Sequence, residues 1–326
     1  MLTHGDVVEA ARRVVGVVRP VAVAGVEGGG FGGGEVWLAL EFLQYTGSFK
    51  ARGAANFTAA HIERGTMPEA GVVIASGGNA GLACAWAAKR HGVPATVFLP
   101  ETAPRVKVAR LHDLGADVRQ VGREYAEAVV AAHAYAGETG ALESHAYDNP
   151  LIAAGAGTLL EEIAAAVPDL DTVVVAVGGG GLFAGVAAAA RRYGVRTVAV
   201  EPVSCRALNA AVEAGRVVDV VVESVAADSL GARRVSEAAL EWARSGDVVS
   251  VLVDDAAIVR ARRRLWDDRR LAVEHAAGAA LAALETGAYV PEPGERVAVV
   301  LCGANTDPGD LVDGADTNPG DLAHGA

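Results

Sequence analysis

Cysteine is scarce in this sequence, and long apolar runs are missing from it. Only three of its 326 residues are cysteines, and Cys84, Cys205 and Cys302 are too far apart for a disulfide framework or a Cys-x-x-Cys metal site. No run of about eighteen apolar residues occurs, so we expect no membrane-spanning helix. The amino terminus also lacks the basic region and apolar core of a secretory signal peptide. We therefore expect a cytoplasmic protein that does not bind membranes and whose thiols stay reduced.

Basic residues are outnumbered as well. The chain has 28 Lys and Arg residues against 40 Asp and Glu residues, a formal net charge of −12. Such a charge repels nucleic acid and anionic surfaces at long range, so we expect no nucleic-acid partner. Glycine, in contrast, is abundant, with 40 residues in 326 against a usual share of roughly 7%. Hydrophobic residues make up 52% of the chain, which is typical of a folded protein with a sizeable core.

The order of strand-like and helix-like segments predicts an α/β fold. Alanine- and arginine-rich stretches of helical length separate most of the strand-like segments, an alternation typical of parallel sheets covered by helices. We therefore predict two three-layer αβα domains with mostly parallel sheets. Short runs rich in β-branched residues predict the buried strands at 36–40, 72–75, 96–99, 172–177, 197–200, 248–253 and 297–301. The predicted domain boundaries are 1–46 and 148–305 for a large discontinuous domain, 47–147 for a small mobile domain, and 306–326 for a flexible acidic tail.

Four consecutive glycines, Gly178–Gly181, follow a predicted strand and open a predicted helix. Their backbone N–H groups can converge on one anion, because no Cβ atom is in the way and a helix N-terminus favours negative charge. The cluster therefore predicts a phosphate site. It also contains a dinucleotide-type pattern, Gly179-x-Gly181-x-x-Ala184, with Glu201 after the next strand. A dinucleotide-dependent oxidoreductase stays open as one interpretation at this point.

The other glycine clusters are less specific. Residues 76–81, Ser-Gly-Gly-Asn-Ala-Gly, also join a strand to a helix, and they fit an anion site or, equally, a tight turn in which Asn79 caps the helix. Gly28–Gly34 has no strand before it and no helix after it, so we predict a flexible surface loop. Cys302 follows the last predicted strand, at the edge where α/β proteins bind ligands, although a buried inert thiol explains it equally well.

Lys50 lies in the first turn of a predicted helix, between Phe49 and Ala51. The positive end of the helix dipole and the apolar surroundings both disfavour its ammonium form. A lysine with a lowered pKa is a nucleophilic amine, although on physical grounds alone a solvated or salt-bridged lysine is the commoner outcome.

Residues 46–54, Thr-Gly-Ser-Phe-Lys-Ala-Arg-Gly-Ala, resemble the Schiff-base lysine motif of fold-type-II pyridoxal-phosphate (PLP) enzymes. The 76–81 loop resembles their substrate-carboxylate loop, and Gly178–Gly181 resemble their tetraglycine phosphate cradle. Cys302 stands where the family places the residue that faces the pyridine nitrogen. The motifs come in the family's order and are most similar to the serine/threonine dehydratases of the tryptophan synthase β-like superfamily. Further stretches fit as well, at 99–107, 148–155 and 273–280.

The resemblance implies a PLP-dependent ammonia-lyase that converts L-serine into pyruvate, or L-threonine into 2-oxobutanoate, with release of ammonia. Lys50 would hold the cofactor as a Schiff base and, once released, remove the Cα proton. The residues implied to bind the cofactor are Phe49, Lys50, Asn79, Gly178, Gly179, Gly180, Gly181, Leu182 and Cys302. Those implied to bind the substrate are Ser76, Gly77, Asn79 and Ala80, and Ser76 is also assigned a catalytic role.

Several positions bear on the type of reaction. A thiol can hydrogen-bond a neutral pyridine nitrogen but cannot hold it protonated, so Cys302 favours β-elimination and β-replacement over transamination. Gly77 stands where serine racemases carry a second base. Because a glycine side chain cannot transfer a proton, we do not expect efficient racemisation. Three positions depart from the family pattern and leave the shape of the pocket open. Residues 39–41, Ala-Leu-Glu, stand where Lys-x-Glu is common, His275 follows Glu274 where proline is common, and Ala304 replaces a glycine.

Related dehydratases also bind a monovalent or divalent cation, and the resemblance implies Glu201 with the carbonyl oxygens of Cys205 and Leu230 as its ligands. It further implies a homodimer and a small hydroxy amino acid as the partner. Other interpretations stay open: a threonine synthase or β-replacement enzyme of the same fold type, a dinucleotide-dependent oxidoreductase, or a non-catalytic amino-acid sensor.

Overall fold

The computed structural model describes residues 1–27, 32–245 and 247–312. Its helices are, in chain order, α1 His4–Val14, α2 Lys50–Glu63, α3 Asn79–His91, α4 Arg105–Asp113, α5 Tyr125–Thr139, α6 Pro150–Ala166, α7 Gly181–Tyr193, α8 Ala207–Ala214, α9 Ala227–Leu230, α10 Glu237–Ala243, α11 Asp255–Arg269, α12 His275–Glu285 and α13 Gly309–Val312. Its strands are β1 Val23–Gly25, β2 Glu35–Ala39, β3 Val72–Ala75, β4 Ala95–Leu99, β5 Asp117–Gln120, β6 Leu142–Glu143, β7 Thr172–Ala176, β8 Arg196–Pro202, β9 Val248–Val253 and β10 Arg296–Val300. Within these ranges no helix combines the length and the apolar character that crossing a membrane requires.

The strands form two sheets. The larger sheet has the order β1-β2-β10-β7-β8-β9 and is parallel except for the β1–β2 pair. The smaller sheet has the order β5-β4-β3-β6 and is parallel throughout. The larger sheet takes its strands from both ends of the chain, and the smaller sheet takes them from the segment between. The predicted α/β class with mostly parallel sheets is thereby confirmed, while the boundaries proposed for the domains stay predictions.

Three short strands, β1, β5 and β6, were not expected from the sequence. The strand β5 has the sequence Asp-Val-Arg-Gln and lies, mostly exposed, at the edge of the smaller sheet. The strands β1 and β6 also lie at sheet edges and have only three and two residues. An edge strand faces solvent along one side, so it needs no continuous apolar run, and a hydrophobic pattern cannot reveal it.

The larger sheet positions the candidate site. Its central strands are apolar on both faces, and Val173, Val174 and Val175 of β7 have no exposed surface. Such fully buried strands are typical of parallel sheets covered by helices. The neighbouring strands β2, β10 and β7 end at the same edge, and the segments that follow them carry Lys50, Cys302 and Gly178–Gly181. Open parallel sheets bind ligands at this edge.

Two predicted mobile segments lie partly outside the described residues. Of the predicted loop Gly28–Gly34, residues 28–31 fall outside, and the described part contacts the turn before β10, where the Gly294 N–H donates to the Gly33 carbonyl over 3.1 Å. Of the predicted tail 306–326, residues 313–326 fall outside. The described part of that tail forms α13, in which Leu311 is buried.

Candidate active site

Lys50 begins α2, directly after the segment that leaves β2. This segment is fixed to the end of β10, because the Phe49 N–H donates to the Cys302 carbonyl over 3.0 Å. The Lys50 amine donates to the Ala146 carbonyl over 2.6 Å and lies 4.9 Å from the centre of the Phe49 ring. Removal from water lowers the pKa of Lys50 to about 8. An appreciable share of the amine is therefore uncharged near neutral pH, as a nucleophile requires.

The turn before Lys50 carries strain and unused hydrogen-bonding groups. Thr46 has a φ of 62°, a left-handed conformation that is rare for a β-branched residue. Its carbonyl accepts from Asn305 Nδ2 over 2.6 Å. Among the described residues, the buried hydroxyls of Thr46 and Ser48 have no hydrogen-bond partner. Strained backbone and unpaired buried polar atoms are concentrated at binding sites, which favours a ligand at this turn.

The glycines Gly178–Gly181 connect β7 to α7, and two of them, Gly179 and Gly181, pack closely on Tyr147. A Cβ atom on Gly179 would lie 2.3 Å from the Tyr147 ring, and a Cβ atom on Gly181 would lie 2.9 Å from the backbone carbonyl oxygen of Tyr147. Gly180 has a φ of +89°, which side chains rarely allow. The first turn of α7 presents N–H groups that have no partner within the helix. The loop therefore has the form of an anion site, as predicted for a cofactor phosphate.

Asn79 begins α3 and contacts residues from the far end of the chain. Its Nδ2 atom donates to both carboxylate oxygens of Glu274, over 2.8 and 3.0 Å, and its Oδ1 atom accepts from Asn305 Nδ2 over 2.6 Å. The Asn305 backbone N–H donates to Glu274 Oε1 over 2.9 Å. The Asn79 side chain does not cap its helix, so the alternative of a simple capped turn does not describe it. The three residues form a closed hydrogen-bonded triangle.

Glu274 and Cys302 lie close to Lys50 in a poorly solvated environment. Burial raises the pKa of Glu274, and the hydrogen bonds from Asn79 and Asn305 oppose this effect. Burial also raises the pKa of the Cys302 thiol, which has 4% of its surface exposed at the end of β10. The thiol therefore stays protonated. It can form a hydrogen bond to a ring nitrogen without supplying a negative charge, which is the property predicted for this position.

The four residues predicted to bind a carboxylate lie in one loop and the helix start after it. Ser76 and Gly77 follow β3, and Asn79 and Ala80 belong to the first turn of α3. The free N–H groups of a first helical turn suit a carboxylate. A Cβ atom on Gly77 would lie 2.8 Å from the Leu99 side chain, so this face of the loop is closely packed. The structure thus brings the predicted residues together.

Residues on the other side of the site were missed by the sequence-based prediction. The Tyr147 hydroxyl donates to the Arg234 carbonyl over 3.0 Å. His145 Nδ1 accepts the N–H groups of Tyr147 and Asp148, over 3.2 and 2.8 Å, so in the neutral ring the other nitrogen carries the proton. Burial lowers the pKa of His145. The only signal for these residues was the family-like stretch 148–155, which begins immediately after them.

Of the three residues predicted to bind a cation, Glu201 lies near the end of β8, and Cys205 and Leu230 follow that strand. The Cys205 thiol donates to the Leu230 carbonyl over 3.0 Å. Glu201 accepts the backbone N–H groups of Leu208 and Asn209 over 2.7 and 2.8 Å, and burial raises its pKa to about 7. These bonds hold Glu201 at the start of α8, which does not support a ribose-binding role. In the part of the chain that the structure describes, no cluster of His, Cys, Asp or Glu side chains could hold a metal ion, so the cation stays a prediction.

Comparison with known proteins agrees with this geometry. The model of the family "Pyridoxal-phosphate dependent enzyme" matches residues 27–303. A rat protein named "Serine dehydratase-like" is 39% identical over 282 residues, which cover 83% of this chain and 85% of that protein. The L-threonine ammonia-lyase of Thermotoga maritima is 34% identical over 310 residues, which cover 94% of this chain and 76% of that protein. The structure of maize serine racemase aligns with a TM-score of 0.87 at 28% identity and covers 95% of both chains.

The family match includes the three features that the fold brings to one edge. Lys50, the Gly178–Gly181 cradle and Cys302 all lie within it. The architecture of two α/β units with parallel sheets is that of fold-type-II enzymes, as the alignment with the racemase shows. This chain belongs to the pyridoxal-phosphate dependent enzyme family.

Proposed function

We propose that this chain is a PLP-dependent ammonia-lyase that eliminates the β-hydroxyl of L-serine or L-threonine. The products are pyruvate or 2-oxobutanoate, together with ammonia. The observation that carries the proposal is the Lys50 amine, which has a lowered pKa and is stabilised in its charged form by Glu274 of the Asn79 triangle. It donates to the Ala146 carbonyl, immediately before Tyr147, against which Gly179 and Gly181 pack. The names of the rat and Thermotoga maritima relatives support the same class of reaction.

The residues present fit the cofactor. Gly178–Gly181 and the first turn of α7, which includes Leu182, would hold its phosphate. Asn79 would contact the ring hydroxyl, Phe49 would lie against the ring, and Cys302 would face the ring nitrogen. PLP, when bound to an amino acid, withdraws electrons from Cα and so weakens the bonds there. The neutral Cys302 thiol adds no negative charge at the nitrogen, which favours elimination.

Lys50 has two roles in this proposal. Its Nζ atom would bind the cofactor covalently and, after the substrate amine has replaced it, would take the proton from Cα. A pKa of about 8 suits both steps, because a general base works best when its pKa is close to the working pH. Ser76, Gly77 and Ala80 would hold the substrate carboxylate at the start of α3. Fixing the carboxylate there would restrict the orientation of the substrate while Lys50 takes the proton.

A racemase is the second candidate, because the maize serine racemase shares the fold over nearly the whole chain. Racemisation needs a proton-transferring group on each face of Cα. Gly77 offers none at the position where the resemblance places the second base, and a Cβ atom there would lie 2.8 Å from Leu99. The proposal therefore favours the lyase reaction.

The proposal also includes an oligomeric state and a cellular compartment. A homodimer is proposed from the resemblance. A reducing compartment such as the cytoplasm is supported by the three cysteines, which are free and buried. A threonine synthase or β-replacement enzyme would use the same cradle and lysine, so product analysis has to separate these reactions from β-elimination.

The test is product analysis with the PLP-loaded protein. The substrates are L- and D-serine, L- and D-threonine and O-phosphohomoserine, and the measured products are keto acid, ammonia, phosphate and the opposite enantiomer. We expect keto acid with ammonia from L-serine or L-threonine. D-serine formed from L-serine without keto acid would support the racemase instead, and phosphate release would support threonine synthase. Lys50→Ala should abolish keto-acid release, whereas Lys89→Ala, which changes an exposed lysine of α3, serves as the matched control.

A further inference from the structure

Arg262 is a buried arginine of α11 that contacts both neighbours of Glu274. Only 2% of its surface is exposed. Its Nε atom donates to the Val273 carbonyl over 2.7 Å, and its Nη1 atom contacts His275 Nε2 over 2.8 Å. Since a guanidinium has no acceptor, His275 Nε2 accepts this bond and the ring is neutral. One side chain therefore fixes the residues immediately before and after Glu274.

The same guanidinium holds the segment that follows Asn305. Arg262 Nη1 donates to Asp310 Oδ2 over 2.8 Å, and its Nη2 atom donates to Asp310 Oδ1 and to Thr306 Oγ1, each over 3.3 Å. A forked arginine–carboxylate contact is stronger and more directional than a single surface ion pair. Residues 306–312 are thus docked against α11, although the sequence predicted a flexible tail there.

These contacts lead to the candidate active site by two routes. Glu274 accepts two hydrogen bonds from Asn79 Nδ2, and Asn305 Nδ2 donates to Asn79 Oδ1. A backbone bond also joins the two segments directly, because the Glu274 N–H donates to the Gly303 carbonyl over 2.9 Å. Hydrogen bonds weaken steeply when distance and angle depart from their optimum, so a shift of either segment releases Asn79.

We infer that the pair of Arg262 and Asp310 is a clamp for the cofactor site. It fixes the segments of Glu274 and Asn305, which in turn hold the Asn79 amide in the orientation that contacts the cofactor ring. The inference rests on the proposed function, because that function assigns Asn79 to the ring hydroxyl. Arg262 and Asp310 are positioning residues, since neither belongs to the group that contacts the cofactor.

The experiment compares Asp310→Asn with Asp268→Asn. The first change keeps the shape of the side chain and removes the charge that holds Arg262. The second is the matched control, because Asp268 is an exposed acid on α11, the helix of Arg262, and pairs with Arg264 over 3.3 Å. Each cofactor-free protein is titrated with PLP, and quenching of tryptophan fluorescence gives Kd. The Tm of each cofactor-free protein is measured alongside. Arg262→Met removes the whole clamp, and Asp310→Asn carries the test if that variant fails to fold.

We expect Asp310→Asn to raise the Kd for PLP about fivefold, which corresponds to about 1 kcal/mol. Asp268→Asn should bind PLP as tightly as the unaltered chain. An unchanged Kd in Asp310→Asn overturns the clamp, even if Tm falls, and an equal loss in Asp268→Asn overturns it too. The titration does not depend on the amino-acid substrate. A chain that binds PLP but releases no keto acid contradicts the proposed function alone, whereas an active chain with an unchanged Kd in Asp310→Asn contradicts the clamp alone.

Discussion

The lowered pKa of Lys50 makes covalent capture of the cofactor depend on pH in a way that can be calculated. With a pKa of about 8, in place of the ordinary 10.5, about 9% of the amine is uncharged at pH 7, against about 0.03% for an ordinary lysine. Between pH 7 and pH 9 this fraction rises about tenfold for Lys50 and about a hundredfold for an ordinary lysine. Only the uncharged amine attacks, so the rate of capture rises with pH and levels off above the pKa.

The assay mixes cofactor-free protein with excess PLP and follows covalent attachment by absorbance across this pH range. Lys50→Ala corrects for attachment to other lysines, and a free amine of known pKa corrects for the titration of PLP itself. The structure predicts a corrected rate that levels off by about pH 9. A rate that still climbs tenfold per pH unit at about pH 9 is the behaviour of a solvated lysine and would refute the reasoning.

Three further substitutions test other parts of the structure. Gly179→Ala places a Cβ atom 2.3 Å from the Tyr147 ring, so PLP affinity should fall at least about tenfold in equilibrium dialysis, and an unchanged affinity would contradict the cradle. Arg52→Met removes the arginine that contacts the buried Glu41 carboxylate at 2.7 Å. Because the carboxylate is then left unpaired, urea unfolding should show a loss of about 3–5 kcal/mol in the free energy of unfolding. A loss below about 1 kcal/mol would contradict the importance of this ion pair. Glu274→Gln replaces one of the two carboxylate oxygens that accept from Asn79 Nδ2 with an NH2 group, which donates. We therefore expect the Kd for PLP to rise roughly tenfold in a fluorescence titration, and an unchanged Kd would contradict the role of this contact.

Most of the fold could be predicted because its central strands are buried on both faces. A strand such as β7, Thr-Val-Val-Val-Ala, has the same apolar signature wherever it stands in the chain. The edge strand β5 could not be predicted, because most of its side chains are exposed and its sequence therefore shows no apolar pattern. The docking of α13 was missed for a related reason. It depends on the pairing of Asp310 with Arg262, and among the arginines of α11 only burial in the folded chain distinguishes Arg262.

The residues of the candidate site likewise fall into those with a local sequence signal and those that only long-range contacts bring together. Lys50 and Gly178–Gly181 act through local features, a helix start and a backbone without Cβ atoms, which the sequence displays directly. The hydrogen bonds between Asn79 and Glu274 join residues 195 positions apart. They depend on how the start of α3 meets the start of α12 in the folded chain, and no local pattern encodes that contact. Glu274 therefore entered the prediction only as part of a family-like stretch, without a role.

The most direct test of the central claim is the stoichiometry of the reaction. The PLP-loaded protein is given L-serine or L-threonine, and keto acid and ammonia are measured together. We expect one keto acid and one ammonia for each substrate consumed, and neither product from Lys50→Ala. Substrate consumed without release of ammonia, or keto acid formed at an undiminished rate by Lys50→Ala, would contradict it.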